Sequence, residues 1–327
     1  MIGKTVLVTG GAGFIGTNLT ARLLQEGASV IIVDNLQTGE MANLARFDKK
    51  LPLKFLRADI SDPLPALGHV DEIYNLACAA SPPHYQADPV HTMMTSVTGT
   101  LQLLRLAEAT GARLVMASTS EVYGDPKEHP QRESYLGNVS TTGPRACYDE
   151  GKRAAETLCS DFQRRGVDVR IARIFNTYGP FMRSDDGRVV SNVICQALTD
   201  QDITIYGEGH QTRSFCFVDD LVDGLMRLMH VKTAPDGPVN LGNPEEFTIR
   251  EMVDVVLERI ETRSAIVHRP LPQDDPQRRC PDIGRARELL GWEPRIPFRV
   301  GLLQTIGWFS AALEDRAEAT AQRAAVA

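Results

Sequence analysis

Hydrophobic residues in the first 180 positions fall into two alternating patterns. Short continuous runs of aliphatic residues predict buried strands at residues 5–9, 29–33, 53–58, 71–77, 113–118 and 169–174. Between them, apolar residues spaced three and four positions apart predict helices at residues 16–25, 98–109 and 149–165. Parallel strands need crossover connections, and the crossover helices cover both faces of the sheet. We therefore predict an α/β fold with a doubly wound parallel sheet of the Rossmann type.

The pattern changes after residue 180, where glycine-rich turns separate a helix pattern at 190–199 from a strand pattern at 203–206. Strand and helix patterns at 215–242 indicate that the chain later returns to the first domain. We expect a first domain over 1–180 with these returns, and a smaller, interleaved lobe mainly over 181–310. The Ala/Glu/Arg-rich end at 311–327 has no apolar stripe, so we expect it to fray.

Charge and cysteine content narrow the possible partners. The chain has 35 Lys and Arg against 42 Asp and Glu, a net charge of −7, so we expect no nucleic acid or membrane partner. The first apolar run is too short for a signal peptide. Six cysteines without C-x-x-C or metal-ligand spacing predict cytoplasmic thiols and no metal site. They are Cys78, Cys147, Cys159, Cys195, Cys216 and Cys280.

A glycine motif follows the first predicted strand and opens the first helix. Gly10, Gly13 and Gly16 form G-x-x-G-x-x-G, which allows a tight turn and a close approach of the backbone to a pyrophosphate. Asp34 ends the second strand, where a carboxylate accepts hydrogen bonds from the ribose and repels a 2′-phosphate. This arrangement favours NAD over NADP. Asp59 ends the third strand, and we expect it at the adenine edge.

A second motif joins Tyr148 and Lys152. Four residues apart on a helix, the phenol and the ammonium share one face, and the positive charge favours the phenolate. A solvated helix face would also carry this pattern. The fifth strand, however, ends in hydroxyl residues that include Thr119, so we predict a proton-transfer site beside a nicotinamide.

Together these motifs resemble the extended short-chain dehydrogenase/reductases that remodel nucleotide sugars, from residue 5 to about residue 309. The resemblance rests on VTGGAGFIG at 8–16, DNLQTG at 34–39, STSEVYGDP at 118–126, GPRACYDEGKR at 143–153, ARIFNTYGP at 172–180, DGRVVSN at 186–192 and QTRSF at 211–215. Residues 118–126, 145–153 and 274–279 are most similar to the UDP-glucuronate decarboxylase branch.

The resemblance implies conversion of UDP-glucuronate to UDP-xylose and CO₂ with a tightly bound, recycled NAD. Tyr148 would take the C4 hydroxyl proton, Thr119 would hydrogen-bond that oxygen, and Lys152 would bind the nicotinamide ribose. The resulting 4-ketone makes the C6 carboxylate a β-keto acid, which loses CO₂ before the ketone is reduced again. The family's dehydratases carry an acidic pair where this chain has Ser120 and Glu121. Arg279 is the expected partner of the substrate carboxylate.

The same resemblance assigns the remaining contacts. It implies an NAD site formed by Gly10, Gly13, Phe14, Ile15, Gly16, Asp34, Asn35, Thr38, Gly39, Asp59, Ile60, Leu76, Ala77, Cys78, Thr95, Ala117, Tyr148, Lys152 and Thr177. It implies a UDP-sugar site formed by Ser81, Glu121, Asn176, Arg188, Asn192, Tyr206, Arg213 and Arg279. The domain at 1–180 would bind NAD, and the lobe at 181–310 the nucleotide sugar.

The resemblance further implies a homodimer, in which the helix around 101–109 and the helix starting at Tyr148 form a four-helix bundle. The chain departs from the family at Met94, Ser96 and Phe181, where Lys, Asn and Arg are usual. A 4-epimerase acting on a UDP-hexuronate or UDP-hexose is the alternative activity. A 4,6-dehydratase and a catalytically idle NAD-binding regulator are the remaining ones.

Overall fold

The computed structural model describes residues 1–271 and 278–326. The family-like residues 274–277 therefore lie outside the described residues. Seven parallel strands form the main sheet in the order β11-β6-β5-β4-β1-β2-β3. Their bounds are β1 Thr5–Thr9, β2 Ser29–Asp34, β3 Leu53–Arg57, β4 Glu72–Asn75, β5 Arg113–Thr119, β6 Val169–Ile174 and β11 Val239–Leu241. The predicted doubly wound parallel sheet is confirmed.

The remaining strands form small sheets outside the main one. They are β7 Thr177–Tyr178, β8 Ile203–Tyr206, β9 Thr212–Ser214, β10 Cys216–Phe217, β12 Glu246–Thr248, β13 Ile266–Arg269 and β14 Arg278–Arg279. Strand β9 lies between antiparallel β12 and parallel β14, and its Arg213 is in register with Arg279. This pairing brings two arginines distant in sequence to one place.

Helices connect the strands and cover the sheet. They are α1 Phe14–Gln25, α2 Met41–Leu44, α3 Pro82–Ala87, α4 Pro89–Met94, α5 Thr100–Thr110, α6 Ala146–Arg164, α7 Val189–Leu198, α8 Val218–His230, α9 Ile249–Leu257, α10 Gly284–Leu290 and α11 Phe298–Val326. A π-helical segment at Thr95–Gly99 joins α4 to α5, and a 3₁₀ turn at Ser120–Tyr123 follows β5. None of the described helices has the length and apolar character needed to cross a bilayer.

Alternation along the strands builds a core on each face of the sheet. In β1, Val6 and Val8 pack in the same cluster as Leu19 and Leu23 of α1. Leu7, between them, belongs to a second cluster with residues of α5 and α6. Because side chains alternate across a strand, a strand covered by helices on both faces is apolar throughout. The sheet therefore holds its carboxyl edge rigidly, and this edge carries the site.

The end of the chain belongs to α11, whose backbone is helical to Val326. The fraying expected from residue 311 stays a prediction. Alanine, glutamate and arginine are strong helix formers, and their local propensity favours a helix even without an apolar stripe.

Candidate active site

A pocket of about 510 Å³ opens at the carboxyl edge of the main sheet. It lies where β1 and β4 are adjacent, the point at which the strand order reverses and at which such sheets bind ligands. All the predicted site residues except Gly39 line this pocket. A Cβ at Gly39 would lie 2.9 Å from both carboxylate oxygens of Asp34, so Gly39 packs behind that side chain instead.

At Gly10 and Gly16 the glycine loop has space for a hydrogen atom but not for a side chain. Gly10 has a positive φ of 70°, and a Cβ there would lie 2.9 Å from the amide nitrogen of Ala77. At Gly16 a Cβ would lie 2.1 Å from the carbonyl oxygen of Gly10. The turn therefore brings the start of α1, with its unpaired backbone N–H groups, to the pocket wall, as a pyrophosphate site requires.

Asp34 is held by two backbone amides. Its Oδ2 accepts a hydrogen bond from the N–H of Ala12 at 3.0 Å, and its Oδ1 accepts one from Leu36 at 2.8 Å. Burial raises the pKa of Asp34, and these two hydrogen bonds oppose the rise. The carboxylate is thus fixed at the end of β2, where it faces the pocket.

Asp59 takes part in a network that the sequence did not predict. Its carboxylate accepts hydrogen bonds from Asn35 Nδ2 at 2.6 Å and from Ser61, and it contacts His91 Nε2 at 2.7 Å. Burial would raise the pKa of Asp59, but these partners lower it to about 2. His91 comes from α4, and its position gave no sequence signal because only the packing of α4 brings it to β3.

Tyr148, Lys152 and Thr119 meet on the pocket wall, all three buried. Lys152 Nζ donates a hydrogen bond to the carbonyl oxygen of Ala117 at 2.9 Å and lies 5.9 Å from the centre of the Tyr148 ring. We predicted that Lys152 would lower the pKa of Tyr148. In the structure, burial raises the pKa of this phenol, and the Thr119 hydroxyl supplies the main opposing hydrogen bond.

Glu121 lies between two arginines. Arg145 donates to its Oε2 at 2.5 Å, and Arg279 donates to its Oε1. Burial would raise the pKa of Glu121, but Arg279 and Arg145 outweigh burial and lower it. Sequence reasoning found Glu121 and Arg279 and missed Arg145, which directly precedes α6 and differs from the other arginines only by its packing.

Tyr85 is a second residue that the sequence analysis missed. It comes from α3, lines the pocket, and is 1% exposed. Its ring lies parallel to that of Tyr148, with a centroid distance of 5.1 Å and an interplanar angle of 3°. This stacking holds the Tyr148 ring in place from one side.

The predicted substrate residues of the smaller lobe also line the pocket. Arg188 makes two hydrogen bonds to Asp186, at 2.5 and 2.9 Å, which orient its guanidinium. Asn192 Nδ2 donates to the carbonyl oxygen of Gly187 at 3.2 Å. Tyr206 is 44% exposed, so its ring can still cover a planar group such as a base. Hydrogen-bond donors and an exposed aromatic ring in the pocket lining are suited to a ligand that carries phosphates and a base.

One cluster outside the pocket has the composition of a metal site. Among the described residues, His129, Glu246 and Cys280 bring one potential ligand atom each within 4.8 Å of one another. The spacing of these residues did not predict their proximity. His129 Nε2 already pairs with Glu246 at 2.9 Å, and Thr212 donates to the same carboxylate at 2.6 Å. These contacts account for the cluster without an ion.

Comparison with known proteins decides the family. A model of the NAD dependent epimerase/dehydratase family matches residues 6–242. The chain belongs to this family. Within it, the chain is 55% identical over 301 residues to UDP-glucuronic acid decarboxylase 2 of Arabidopsis thaliana, covering 92% of this chain and 67% of the relative. It is 51% identical over 315 residues to UDP-glucuronic acid decarboxylase 1 of Danio rerio, covering 96% and 74%.

Solved structures of other family members have the same fold. The UDP-glucose 4-epimerase of Thermotoga maritima, in a structure with UDP-glucose, matches with a TM-score of 0.86 and 27% identity over 94% of this chain and 99% of that one. A variant of the UDP-glucuronic acid 4-epimerase of Bacillus cereus, in complex with a fluorinated UDP-glucuronic acid and NAD, matches with a TM-score of 0.84 and 25% identity over 94% and 99%. The family resemblance inferred from the sequence is confirmed.

Proposed function

We propose that this chain is a UDP-glucuronate decarboxylase that forms UDP-xylose and CO₂. The observation that carries the proposal is the placement of Glu121 between Arg279 and Arg145 in the pocket that also holds Tyr148. Two guanidiniums and one carboxylate leave this corner with a positive charge, which attracts a sugar carboxylate. The close relatives with this activity support the same conclusion.

The structure favours decarboxylation over elimination of water. A 4,6-dehydratase needs an acid that protonates the departing C6 hydroxyl. Glu121 is a poor acid, because its two arginine partners hold its pKa below the usual range. A substrate that already carries a C6 carboxylate needs no such acid. It needs only a 4-ketone, because a β-keto acid loses CO₂ with its electrons held on the new carbonyl.

We propose that NAD occupies the part of the pocket between the glycine loop and Tyr148, is held tightly and is recycled. When bound, NAD supplies the hydride acceptor and returns the hydride at the end of the cycle. Asp34 would bind the adenosine ribose, the start of α1 the pyrophosphate, and Lys152 the nicotinamide ribose. The steric limit at Gly10 and Gly16 supports this assignment, because only glycines allow the backbone so close to a pyrophosphate.

The catalytic residues then have separate tasks. Tyr148 takes the proton of the C4 hydroxyl and later returns it to the same oxygen. Thr119, whose hydroxyl interacts with Tyr148, hydrogen-bonds that oxygen as charge develops on it. Because burial raises the pKa of Tyr148, the positive charge of the bound nicotinamide and Lys152 must together favour the phenolate. Arg279 would orient the substrate carboxylate.

The test is to incubate the purified protein with UDP-glucuronate without added NAD, and to follow CO₂ release and the NMR spectrum. We expect CO₂ and UDP-xylose from the wild type, and at least a 100-fold loss with Tyr148→Phe, in the range of general acid–base contributions. Phenylalanine keeps the ring stacked on Tyr85, so this variant isolates the hydroxyl. A product that retains C6 with C4 inverted would instead establish the 4-epimerase, which the structural similarity to a UDP-glucuronic acid 4-epimerase leaves as the second candidate.

We also propose a cytoplasmic homodimer. Within the chain α5 packs against α6, and Leu101, Leu106 and Leu158 on these helices remain only partly buried. A second copy would cover them and complete a four-helix bundle. No disulfide joins the six cysteines, all of which lie within the described residues, and this supports a reducing compartment. Sedimentation analysis of the wild type and of Leu101→Glu tests the dimer, since a charge in the bundle would shift the protein toward monomer.

A further inference from the structure

Strand β14, which carries Arg279 into the pocket, is two residues long. It pairs with β9, and Ser214 Oγ donates a hydrogen bond to the carbonyl oxygen of Arg279 at 3.1 Å. So short a pairing supplies few hydrogen bonds, whereas a two-point contact with a carboxylate requires a guanidinium that is fixed in distance and angle. The position of Arg279 therefore also depends on the residues that hold the chain directly after it.

Gln131 holds the chain directly after Arg279. It is 0% exposed, and its backbone N–H donates a hydrogen bond to the carbonyl oxygen of Cys280 at 2.9 Å. Its side-chain Oε1 accepts a hydrogen bond from the backbone N–H of Cys280 at 2.8 Å. Its carbonyl oxygen accepts a third from the backbone N–H of Asp282 at 2.9 Å. One buried residue thus binds both polar groups of the first residue after Arg279, and the backbone two residues further on.

Asn240 ties this segment to the main sheet. It lies on β11, is 0% exposed, and its Nδ2 donates hydrogen bonds to the carbonyl oxygens of Gln131 and Asp282, both at 3.0 Å. Its Oδ1 accepts a hydrogen bond from the Tyr123 hydroxyl at 2.7 Å. Both N–H donors of the amide and its oxygen are therefore in use. Asn240 fixes Gln131 and Asp282 relative to β11 and to each other.

The outer members of this network are bonded as well. Gln131 Nε2 donates a hydrogen bond to the carbonyl oxygen of Glu128 at 2.8 Å, and Arg173 Nη1 donates one to the Tyr123 hydroxyl at 3.0 Å. Arg173 belongs to β6, the strand beside β11 in the main sheet. A buried polar network whose members are all bonded is rigid. It therefore transmits the fixed position of the sheet to the chain that follows Arg279.

We propose that Gln131 and Asn240 are positioning residues that fix Arg279 for the C6 carboxylate of the substrate, an inference that rests on the proposed function. Neither residue lines the pocket, so both act through Arg279. The pairing of β14 with β9 brings Arg279 to the pocket, and the hydrogen bonds to residues 280 and 282 hold its backbone in place there. Loss of these bonds should therefore weaken the recognition of the carboxylate and leave the binding of the rest of the nucleotide sugar intact.

The experiment compares two ligands that differ only at C6, where UDP-glucuronate has a carboxylate and UDP-glucose a hydroxymethyl group. Each is titrated by calorimetry, in the presence of NAD, into proteins that also carry Tyr148→Phe, which suppresses turnover. Gln131→Met and Asn240→Leu remove the amides and nearly keep their shapes. We expect either variant to lower the preference for UDP-glucuronate about 10-fold, the worth of one hydrogen bond to a charged group, while the affinity for UDP-glucose stays unchanged. Arg279→Met gives the preference that remains when the guanidinium is absent.

Asn75→Leu is the matched control for Asn240→Leu. Asn75 lies on β4 of the same sheet, is 3% exposed and does not line the pocket. Its Oδ1 accepts a hydrogen bond from Thr9 Oγ1 and its Nδ2 donates one to Thr100 Oγ1, both at 3.0 Å. The same substitution therefore removes a buried, bonded amide that holds other parts of the chain. We expect both variants to lose stability in urea unfolding, but only Asn240→Leu to lose preference for the carboxylate.

Two results would overturn the inference. If Gln131→Met and Asn240→Leu keep the full preference, Arg279 is positioned without them. If Asn75→Leu lowers the preference equally, the effect belongs to the loss of any buried amide. Should Asn240→Leu fail to fold, Gln131→Met and the milder Tyr123→Phe, which removes the hydroxyl bonded to Asn240, decide the question in the same way.

Failure of the proposed function gives a different result. A chain that releases CO₂ from UDP-glucuronate but shows no effect of Gln131→Met or Asn240→Leu refutes this inference alone. If Arg279→Met itself leaves the preference unchanged, Arg279 does not bind the carboxylate. Its proposed role is then refuted, and the inference with it.

Discussion

The buried pair of Arg279 and Glu121 allows a quantitative test of how this site is stabilised. The side chains are 5% and 15% exposed, so neither charge is well solvated. Removing one member of such a pair leaves an unpaired buried charge and costs about 3–5 kcal/mol. Here Arg145 still pairs with Glu121 at 2.5 Å. We therefore expect Arg279→Met to lower the free energy of unfolding by only about 2 kcal/mol.

The double variant Glu121→Gln/Arg279→Met provides the decisive comparison. In the double variant Arg145 keeps its charge and loses its pairing with Glu121, but the carboxylate that Arg279 stabilised is gone as well. The double variant should therefore lose less stability than the sum of the two single variants, by about 1–2 kcal/mol. Thermal and urea unfolding of the wild type, both single variants and the double variant measure this coupling. Arg279→Met and the double variant should both lose UDP-glucuronate turnover. Additive losses of stability would show that the two charges are not coupled. That result would also contradict the low pKa of Glu121.

Three further predictions concern the proposed cofactor region. Gly16→Ala, whose Cβ would lie 2.1 Å from the carbonyl oxygen of Gly10, should cost about 1–3 kcal/mol of stability and weaken NAD binding, as measured by calorimetry. Gly13→Ala is its control, since the same contact there is 3.3 Å, and equal effects would contradict the steric argument. Asp34→Asn should weaken NAD about 10-fold while affecting NADP less, because the loss of charge removes a repulsion, and an unchanged ratio of affinities would count against the role of Asp34. Asp59 contributes stability that is complete above its ordinary pKa of 3.8 and is lost as the pH falls toward its folded pKa of about 2. The stability difference between the wild type and Asp59→Asn should therefore shrink by up to about 2 kcal/mol over this range in acid-unfolding measurements, and a difference independent of pH would refute it.

For strands that are buried on both faces, the sequence predicted both the strand and its first and last residues. Strands β1 and β6 occur at the predicted residues, because a strand covered by helices on both sides is apolar from end to end. Helix ends were less predictable. Helix α6 begins at Ala146, three residues before its predicted start, since the residues before Tyr148 carry no apolar period. The π-helical turn at Thr95–Gly99 also lacks a sequence pattern of its own.

Site residues were predictable from the sequence where a reactive side chain stands at the end of a strand. They were not predictable where only the packing of a helix brings the residue to the site. Asp34 and Thr119 end strands of the main sheet, so their position follows from the topology. Tyr85 and Arg145 reach the pocket through the packing of α3 and of the start of α6, and His91 of α4 contacts Asp59 at the pocket wall. Their sequence neighbourhoods resemble ordinary surface helices, and no local pattern distinguishes them.

The origin of Arg279 has a consequence for how specificity can change within this fold. Arg279 comes from β14, beyond the stretch that matches the family, and reaches the pocket only because β14 pairs with β9. If the proposed roles hold, the residues for hydride transfer and the arginine for the sugar acid come from separate stretches of chain, within and beyond the family match. Replacing β14 by another two-residue strand beside β9 would then change which sugar the pocket binds. The residues that form the ketone, and the main sheet that carries them, would stay the same.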